Sequence, residues 1–156
     1  MNIVQGDLIE LAESGVFDVI IHGCNCFNTM GSGIARTIRT KYPEAYDADC
    51  ETVAGDKEKL GTYTSYDTGK FIIINAYTQY NFNCVGSAST DLFNYHAFES
   101  ILESLEEDFI SKRFGFPEIG CGLAGGNKKT IMDLIQTFYE NVEPYGSTVT
   151  VVQFDK

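Results

Sequence analysis

The sequence is poor in basic residues. It has 11 Lys and Arg against 22 Asp and Glu, which gives a formal net charge of −11 at pH 7. A chain of this charge repels nucleic acids, so we expect no nucleic-acid partner. With so few basic side chains, a small anion would have to be bound mainly by backbone N–H groups at glycine-rich loops and helix N-termini.

Long apolar runs, leader segments and linkers are also missing. No apolar stretch approaches the roughly 20 residues of a membrane span, and the N-terminus lacks the basic start and apolar middle of a signal peptide. We therefore expect a cytoplasmic protein with no membrane contact. The 156 residues contain no repeat or low-complexity segment, which predicts one domain over 1–156. We expect a monomer and no cofactor.

The five cysteines lack the pattern of a disulfide framework or a zinc site. Their odd number, without an export signal, argues against disulfides. Cys24 and Cys26 form a C-x-C pair, whereas zinc sites usually use C-x2-C pairs, and no second pair is in range. The sequence favours reduced, buried cysteines and no metal, with a reactive thiol or a metal site as the alternatives.

Strand-like and helix-like patterns alternate along the chain. Apolar runs predict strands at 2–4, 18–21, 71–77, 114–119 and 148–154, with a weaker candidate at 61–66. Apolar stripes at helical spacing predict helices that follow Gly33, Asp91 and Asn127, and a short helix is expected at 8–14. This alternation predicts an α/β fold with a mixed, largely parallel sheet that helices cover on both faces.

Every unusual segment follows one of these strands. The segments are HGCNCFNTMGSG (22–33), YTQYN (77–81), GCGLAGG (120–126) and FDK (154–156). Ligands bind at the carboxyl ends of the strands in open α/β sheets. The two glycine-rich segments each precede a predicted helix, so their backbone N–H groups could face an anion. Two such loops at one edge suit a diphosphate, although each alone could be an ordinary strand-to-helix turn.

Single residues near these loops have a functional and a structural interpretation. His22 could transfer protons beside a phosphate site, or it could be a core histidine. Asn25 could bond a ribose hydroxyl or brace its loop, and Asp7 could accept a bond from an exocyclic amine or cap the helix that follows. Phe154 could stack on a base or close the sheet.

The segments VIIHGCNCFNTMGSGIARTIRTKYPEA and FPEIGCGLAGGNKKTI resemble the macrodomain family of ADP-ribose-binding α/β modules. The likeness extends from VQGDLIEL to VTVVQF, and it is strongest to the branch of ADP-ribose 1″-phosphate phosphatases and to compact bacteriophage members. The resemblance implies a three-layer α/β/α fold with a mixed, mostly parallel sheet.

The resemblance also implies site residues. Asp7, Leu8 and Phe154 would meet the adenine, and Asn25 would reach the distal ribose. Around that sugar and its phosphate would lie Gly31, Ser32, Gly33 and Ile34. The diphosphate would be wrapped by the backbone N–H groups of Gly120, Cys121, Gly122, Leu123, Ala124 and Gly125. His22 would be catalytic, with Asp91 as its candidate acidic partner, although Asp91 could equally be a helix N-cap.

The predicted function is binding of ADP-ribose and hydrolysis of ADP-ribose 1″-phosphate to ADP-ribose and phosphate, without a metal. A non-catalytic ADP-ribose-binding module is the alternative, and an enzyme with a cysteine nucleophile is a weaker one. Family members that remove ADP-ribose from protein carboxylates use a lysine and a loop aspartate. This chain has Gln79 and Ala124 at the matching positions, which argues against that activity.

Overall fold

One six-stranded sheet forms the centre of the protein. The computed structural model describes residues 1–81, 92–122 and 124–154. The strands are β1 (Asn2–Gly6), β2 (Val19–Cys24), β3 (Tyr63–Asp67), β4 (Ile72–Tyr77), β5 (Arg113–Pro117) and β6 (Thr148–Phe154). Their order across the sheet is β1-β6-β5-β2-β4-β3, and every neighbouring pair is parallel except β3 with β4.

The described residues form five α-helices. They are α1 (Leu8–Glu13), α2 (Gly33–Lys41), α3 (Pro43–Cys50), α4 (Tyr95–Asp108) and α5 (Lys128–Val142), with 3₁₀ turns at Lys57–Lys59 and Glu143–Tyr145. Asp7, Asn94 and Asn127 cap α1, α4 and α5, because each side chain accepts a hydrogen bond from the first helical turn.

Two apolar cores separate the sheet from its helices. On one face, buried residues of α1, α2 and α3 pack against Ile20, Ile73 and Val152 of the sheet. On the other face, buried residues of α4 and α5 pack against Phe114, Phe116 and other strand residues. The predicted α/β class, with helices on both faces of a mostly parallel sheet, is therefore confirmed.

Several predicted boundaries differ from the structure. Strand β2 extends to Cys24, because residues 22–24 pair with residues 75–77 of β4. His22 therefore lies inside a strand and not after its end. Pro43 does not simply follow α2; it begins the separate helix α3. Helix α4 begins at Tyr95 with Asn94 as its cap, and Asp91 lies outside the described residues.

Candidate functional site

A groove follows the carboxyl edge of the sheet and widens into three adjoining cavities. We call the first the outer pocket; it has a volume of about 380 Å³. Its walls come from the β1–α1 junction, the first turns of α2 and the end of β6, and its lining is Gly6, Asp7, Leu8, Ile9, Gly33, Ile34, Thr37, Pro117, Val152 and Phe154. The outer pocket is thus a mostly apolar cleft with one carboxylate and one aromatic ring at its walls.

The second and third cavities continue from the outer pocket. The channel, of about 220 Å³, shares Gly33, Ile34 and Pro117 with the outer pocket. The inner pocket, of about 380 Å³, is lined by Gly23, Cys24, Asn25, Thr29, Met30, Gly31, Ser32, Ala35, Gln79 and Ala124. Because the channel also shares Ser32 and Gln79 with the inner pocket, the three cavities form one elongated groove.

Asp7 and Phe154 both line the outer pocket, at the ends of the neighbouring strands β1 and β6. Asp7 Oδ1 accepts hydrogen bonds from the N–H groups of Ile9 and Glu10, at 2.9 and 3.1 Å. The predicted capping role of Asp7 is therefore confirmed, and Oδ2 has no hydrogen-bond partner among the described residues. The Phe154 side chain is 65% exposed, although Phe154 ends a strand whose centre is buried. An exposed ring at the rim of an apolar cleft is available to stack on a planar ligand.

The segment 25–32, which we call the pocket loop, forms one wall of the inner pocket. Asn25 braces this loop, because its Nδ2 donates to Thr29 Oγ1 at 2.7 Å and its Oδ1 accepts from the N–H of Phe27 at 2.8 Å. Asn28 and Met30 adopt positive φ angles of 57° and 39°. Side-chain-bearing residues rarely adopt such backbone angles, so surrounding contacts must hold the loop in this conformation.

The first turn of α2 presents its backbone to the channel. Gly33 has a φ of 58°, and a Cβ added there would meet no atom within 4 Å. Gly31, the other glycine before this helix, does not have a positive φ. The Ser32 side chain makes no capping hydrogen bond. The N–H groups at this helix end are therefore not capped by the Ser32 side chain, and the helix dipole favours an anion there.

The second glycine loop, residues 118–127, also lines the channel. Gly120 has a φ of 73°, and an added Cβ would lie 2.4 Å from the ring of Phe93. An added Cβ at Gly126 would lie 2.7 Å from Ile131. These glycines let the loop pack closely on the core while its backbone faces the channel.

Only some amide groups of this loop are available to a ligand. The N–H groups of Cys121 and Gly125 donate to carbonyl groups within the loop, at 3.3 and 3.0 Å. Those of Gly120, Gly122 and Ala124 make no hydrogen bond to any described residue, and these three residues line the channel. The predicted set of six amides therefore divides into available and internally bonded groups, and Leu123 lies outside the described residues.

Comparison with known proteins shows the family to which the chain belongs. The sequence model of the Macro domain matches residues 21–135, which is most of the chain and includes both glycine loops. The chain belongs to the macrodomain family. This finding confirms the resemblance that the sequence motifs indicated.

Three relatives show how far the likeness extends. An uncharacterized 17.5 kDa protein from the tk-vs intergenic region of Enterobacteria phage T4 is 33% identical over 149 residues, which cover 90% of each protein. An ADP-ribose 1″-phosphate phosphatase of Ajellomyces capsulatus is 46% identical over 43 residues, which cover 28% of this chain and 16% of that enzyme. The structure of Thermosipho africanus DarTG in complex with ADP-ribose superposes with a TM-score of 0.74 at 18% identity, over 98% of this chain and 42% of that one.

His22 of this macrodomain lies beneath the inner pocket and does not line it. Its side chain is completely buried, and Nε2 lies 2.7 Å from Asn75 Oδ1. Burial lowers the pKa of His22 to about 4, so the ring is neutral at pH 7. The sulfur of Cys24, which does line the pocket, lies 3.8 Å from the ring nitrogens. This burial does not support direct contact between His22 and a ligand, so the catalytic role stays a prediction.

The described lining of the inner pocket carries no side chain that is charged at neutral pH. Burial raises the pKa of the Cys24 thiol well above its usual value, and burial also raises the pKa values of Cys26 and Cys121. None of these three thiols is activated as a nucleophile. In the channel, the carboxylate of Glu118 forms an ion pair with Lys128 at 2.9 Å.

Two residues after β4 belong to the site although the motifs did not identify them. Thr78 lines the channel, and its Oγ1 is buried without a hydrogen-bond partner among the described residues. A Cβ at Gly23 would lie 2.9 Å from this oxygen, so only glycine fits beside it. Gln79 lines both the channel and the inner pocket, and its Nε2 donates to the carbonyl of Asn81 at 2.7 Å. The position of YTQYN after a buried strand was the available signal.

The remaining predictions concern Asp91, the cysteines, metal binding and membrane spans. Asp91 lies outside the described residues. Cys24, Cys26, Cys50 and Cys121 are free thiols. In the described ranges no group of three or more His, Cys, Asp or Glu side chains could hold a metal ion. No helix in those ranges is both long and apolar enough to cross a bilayer.

Proposed function

We propose that this macrodomain binds ADP-ribose along the groove. The adenine would occupy the outer pocket, the diphosphate the channel and the distal ribose the inner pocket. The observation that carries this proposal is the order of the three cavities. Among the described residues, a mostly apolar pocket leads to a channel whose lining has unpaired N–H groups, and then to a polar pocket without charged side chains. This is the order of chemistry along ADP-ribose.

The channel has the chemistry that a diphosphate requires in an acidic protein. Gly120, Gly122 and Ala124 offer N–H groups from one side, and the first turn of α2 offers its positive dipole end from the other. Backbone donors add no side-chain entropy cost and do not depend on the few basic residues. Thr78 also lines the channel, and its buried Oγ1 has no hydrogen-bond partner among the described residues.

The adenine would be recognised at two points. Its exocyclic amine would donate to Asp7 Oδ2, while Oδ1 keeps its two bonds to the backbone of α1. The exposed ring of Phe154 would cover one face of the base. The Thermosipho africanus protein, which shares the fold and was solved with ADP-ribose, supports this choice of ligand.

The proposed reaction is hydrolysis of ADP-ribose 1″-phosphate. Water would lose a proton and attack the phosphorus atom of the 1″-phosphate, while the bond between phosphorus and the 1″ oxygen breaks. The 1″ oxygen would take up a proton to give ADP-ribose, and the other product would be inorganic phosphate. The short matches to two ADP-ribose 1″-phosphate phosphatases support this reaction. The bound nucleotide would hold the terminal phosphate in place, since positioning lowers the barrier of such a reaction. His22 is our candidate for the proton transfer, with Asp91 as its acidic partner.

Two observations favour a second function, which is binding without catalysis. The described lining of the inner pocket has no ionised group, and the ring of His22 reaches only protein atoms. A site of this kind would hold the distal ribose without transferring protons. Both functions share the same binding mode and differ only in turnover.

Phosphate release from ADP-ribose 1″-phosphate separates the two functions. We expect release by the wild-type protein and a loss of at least 100-fold in Asp91→Asn, with unchanged affinity for ADP-ribose in calorimetry. Asp67→Asn, at an exposed carboxylate that ends strand β3, is the matched control and should keep full turnover. Tight binding of ADP-ribose without phosphate release would establish the binding module instead.

A further inference from the structure

A buried lysine, Lys59, contacts the pocket loop but lines none of the three cavities. Lys59 ends the 3₁₀ turn Lys57–Lys59, and its side chain is only 6% exposed. Its Nζ donates to the carbonyl of Cys26 at 3.2 Å and to Asn28 Oδ1 at 2.5 Å. Both acceptors belong to the pocket loop, so one ammonium group connects the loop to the body of the protein.

Burying an ammonium group is unfavourable unless its surroundings compensate. Here an aromatic ring and a nearby carboxylate compensate for the burial of Lys59. Nζ lies 4.7 Å from the centre of the Tyr77 ring, within reach of a cation–π interaction. Tyr77 donates to Asp49 Oδ1 at 2.6 Å. Asp49 is fully buried, and its Oδ2 has no hydrogen-bond partner among the described residues. The charge of Lys59 partly offsets the effect of burial, which raises the pKa of Asp49.

The two hydrogen bonds from Lys59 Nζ lie next to the part of the pocket loop that has positive φ angles. Asn28 and Met30 hold positive φ angles, and such backbone states persist only when neighbouring contacts enforce them. The residues just after Asn28, from Thr29 to Ser32, line the inner pocket. None of them contacts the outer pocket, whose lining comes from other segments and from Gly33 onward.

We propose that Lys59 is a positioning residue for the inner pocket. Its ammonium holds the pocket loop in the conformation that binds the distal ribose. No residue of this loop lines the outer pocket and Ser32 alone among Thr29–Ser32 lines the channel, so the adenine and diphosphate sites depend on Lys59 far less. This inference rests on the proposed function in its assignment of the distal ribose to the inner pocket. It adds a residue that no ligand would touch.

The test compares two nucleotides on Lys59→Met, which keeps a long apolar side chain but removes the ammonium group. ADP-ribose fills all three cavities, whereas ADP stops at the channel. Loss of hydrogen bonds from a charged donor predicts a Kd for ADP-ribose that is raised about 10- to 100-fold, with the Kd for ADP unchanged within about twofold. Lys57→Met, at an exposed lysine of the same turn, should change neither constant. Equal increases for both nucleotides, or no increase for either, would overturn the proposal.

Amide hydrogen exchange tests the positioning role without a ligand. The N–H groups of Cys26 and Phe27 are bonded to Tyr80 O and Asn25 Oδ1 and report on the pocket loop. In Lys59→Met we expect them to exchange at least tenfold faster, while amides in the middle of α5 keep their rates. Unchanged loop exchange would refute the role of Lys59 even if the wild-type protein binds no nucleotide, an outcome that would separately refute the proposed function.

Asn28→Gly provides a second variant should Lys59→Met fail to fold. Glycine tolerates the positive φ of position 28 but removes the acceptor for Nζ. The same selective loss of ADP-ribose affinity and the same local increase in exchange are expected. If Asn28→Gly binds ADP-ribose as tightly as the wild type and its loop exchanges at the same rate, the proposal is wrong.

Discussion

The imidazole of His22 and the carboxamide of Asn75 form a 2.7 Å hydrogen bond between the neighbouring parallel strands β2 and β4, and both side chains are fully buried. Asn75 Nδ2 donates to the carbonyl of Ala45 and to Thr64 Oγ1, so Asn75 Oδ1 is the acceptor for the histidine. The proton of the neutral ring is therefore on Nε2. This hydrogen bond joins strands β2 and β4 next to Cys24, which lines the inner pocket.

Titration of His22 should make the folded protein less stable in acid. Its pKa is about 4 in the folded state and 6.5 for the free side chain, so the unfolded chain binds more protons between these values. The free energy of unfolding therefore falls as the pH decreases from about 6.5 to about 4. Between pH 7 and pH 5 the contribution of this one residue is about 2 kcal/mol.

Urea unfolding of the wild type and of His22→Gln at both pH values measures this contribution. Glutamine can donate to Asn75 but does not titrate, and the other titrating groups are shared by the two proteins. The wild type should lose about 2 kcal/mol more than the variant between pH 7 and pH 5. Equal losses would show that the ring is not held neutral by burial.

Asp7→Asn should separate the capping role of Asp7 from its role in ligand recognition. Asparagine caps helices about as well as aspartate, so the free energy of unfolding should change by less than about 0.5 kcal/mol. It also replaces one acceptor oxygen by a donor, which would oppose the exocyclic amine of adenine. We expect calorimetry to give an ADP-ribose Kd raised at least about tenfold. An unchanged Kd would remove Asp7 from the adenine site.

Phe154→Ala should weaken nucleotide binding without a large loss of stability. The ring is 65% exposed, so its removal uncovers little core. Stacking of a base on an aromatic ring contributes about 1–3 kcal/mol, which predicts a Kd for ADP-ribose raised about tenfold. Tyr145→Ala is the matched control, because Tyr145 is 61% exposed and lines none of the three cavities. Equal affinities of the two variants would argue against stacking on Phe154.

Gly120→Ala should disrupt the second glycine loop. Its Cβ would collide with Phe93 and would strain a φ of 73°, so we expect a loss of about 2–4 kcal/mol in unfolding free energy. Gly122→Ala is the control in the same loop, because its φ is not positive and its Cβ would meet no atom within 4 Å. That variant should stay within about 0.5 kcal/mol of the wild type. A stable Gly120→Ala would mean that the loop can move away from Phe93.

The fold class could be predicted from the sequence because the strands at 72–77 and 148–154 consist mostly of apolar and β-branched residues and are buried over most of their length. The ends of β2 were harder to predict. His22 interrupts an apolar run and suggests a strand end, yet its hydrogen bond to Asn75 lets a polar residue stay inside the sheet. A partner 53 residues away is not visible in local sequence.

The candidate site could likewise be predicted only where its signal lies in the local sequence. The glycine loops were found because glycine spacing before a helix is a local signal. Which amides face the channel could not be predicted, because the internal bonds of Cys121 and Gly125 depend on the closed shape of the loop. Lys59 gave no signal either, since a lysine in a polar turn is usually solvent-exposed and only tertiary packing buries it.

Calorimetric titration of the wild-type protein with ADP-ribose, with ADP and ribose 5-phosphate titrated in parallel, tests the central claim most directly. The account predicts one site per chain and an affinity for ADP-ribose that clearly exceeds that for either fragment, because only the whole ligand fills all three cavities. Absence of heat with ADP-ribose, or an affinity no greater than that for ADP, would contradict it.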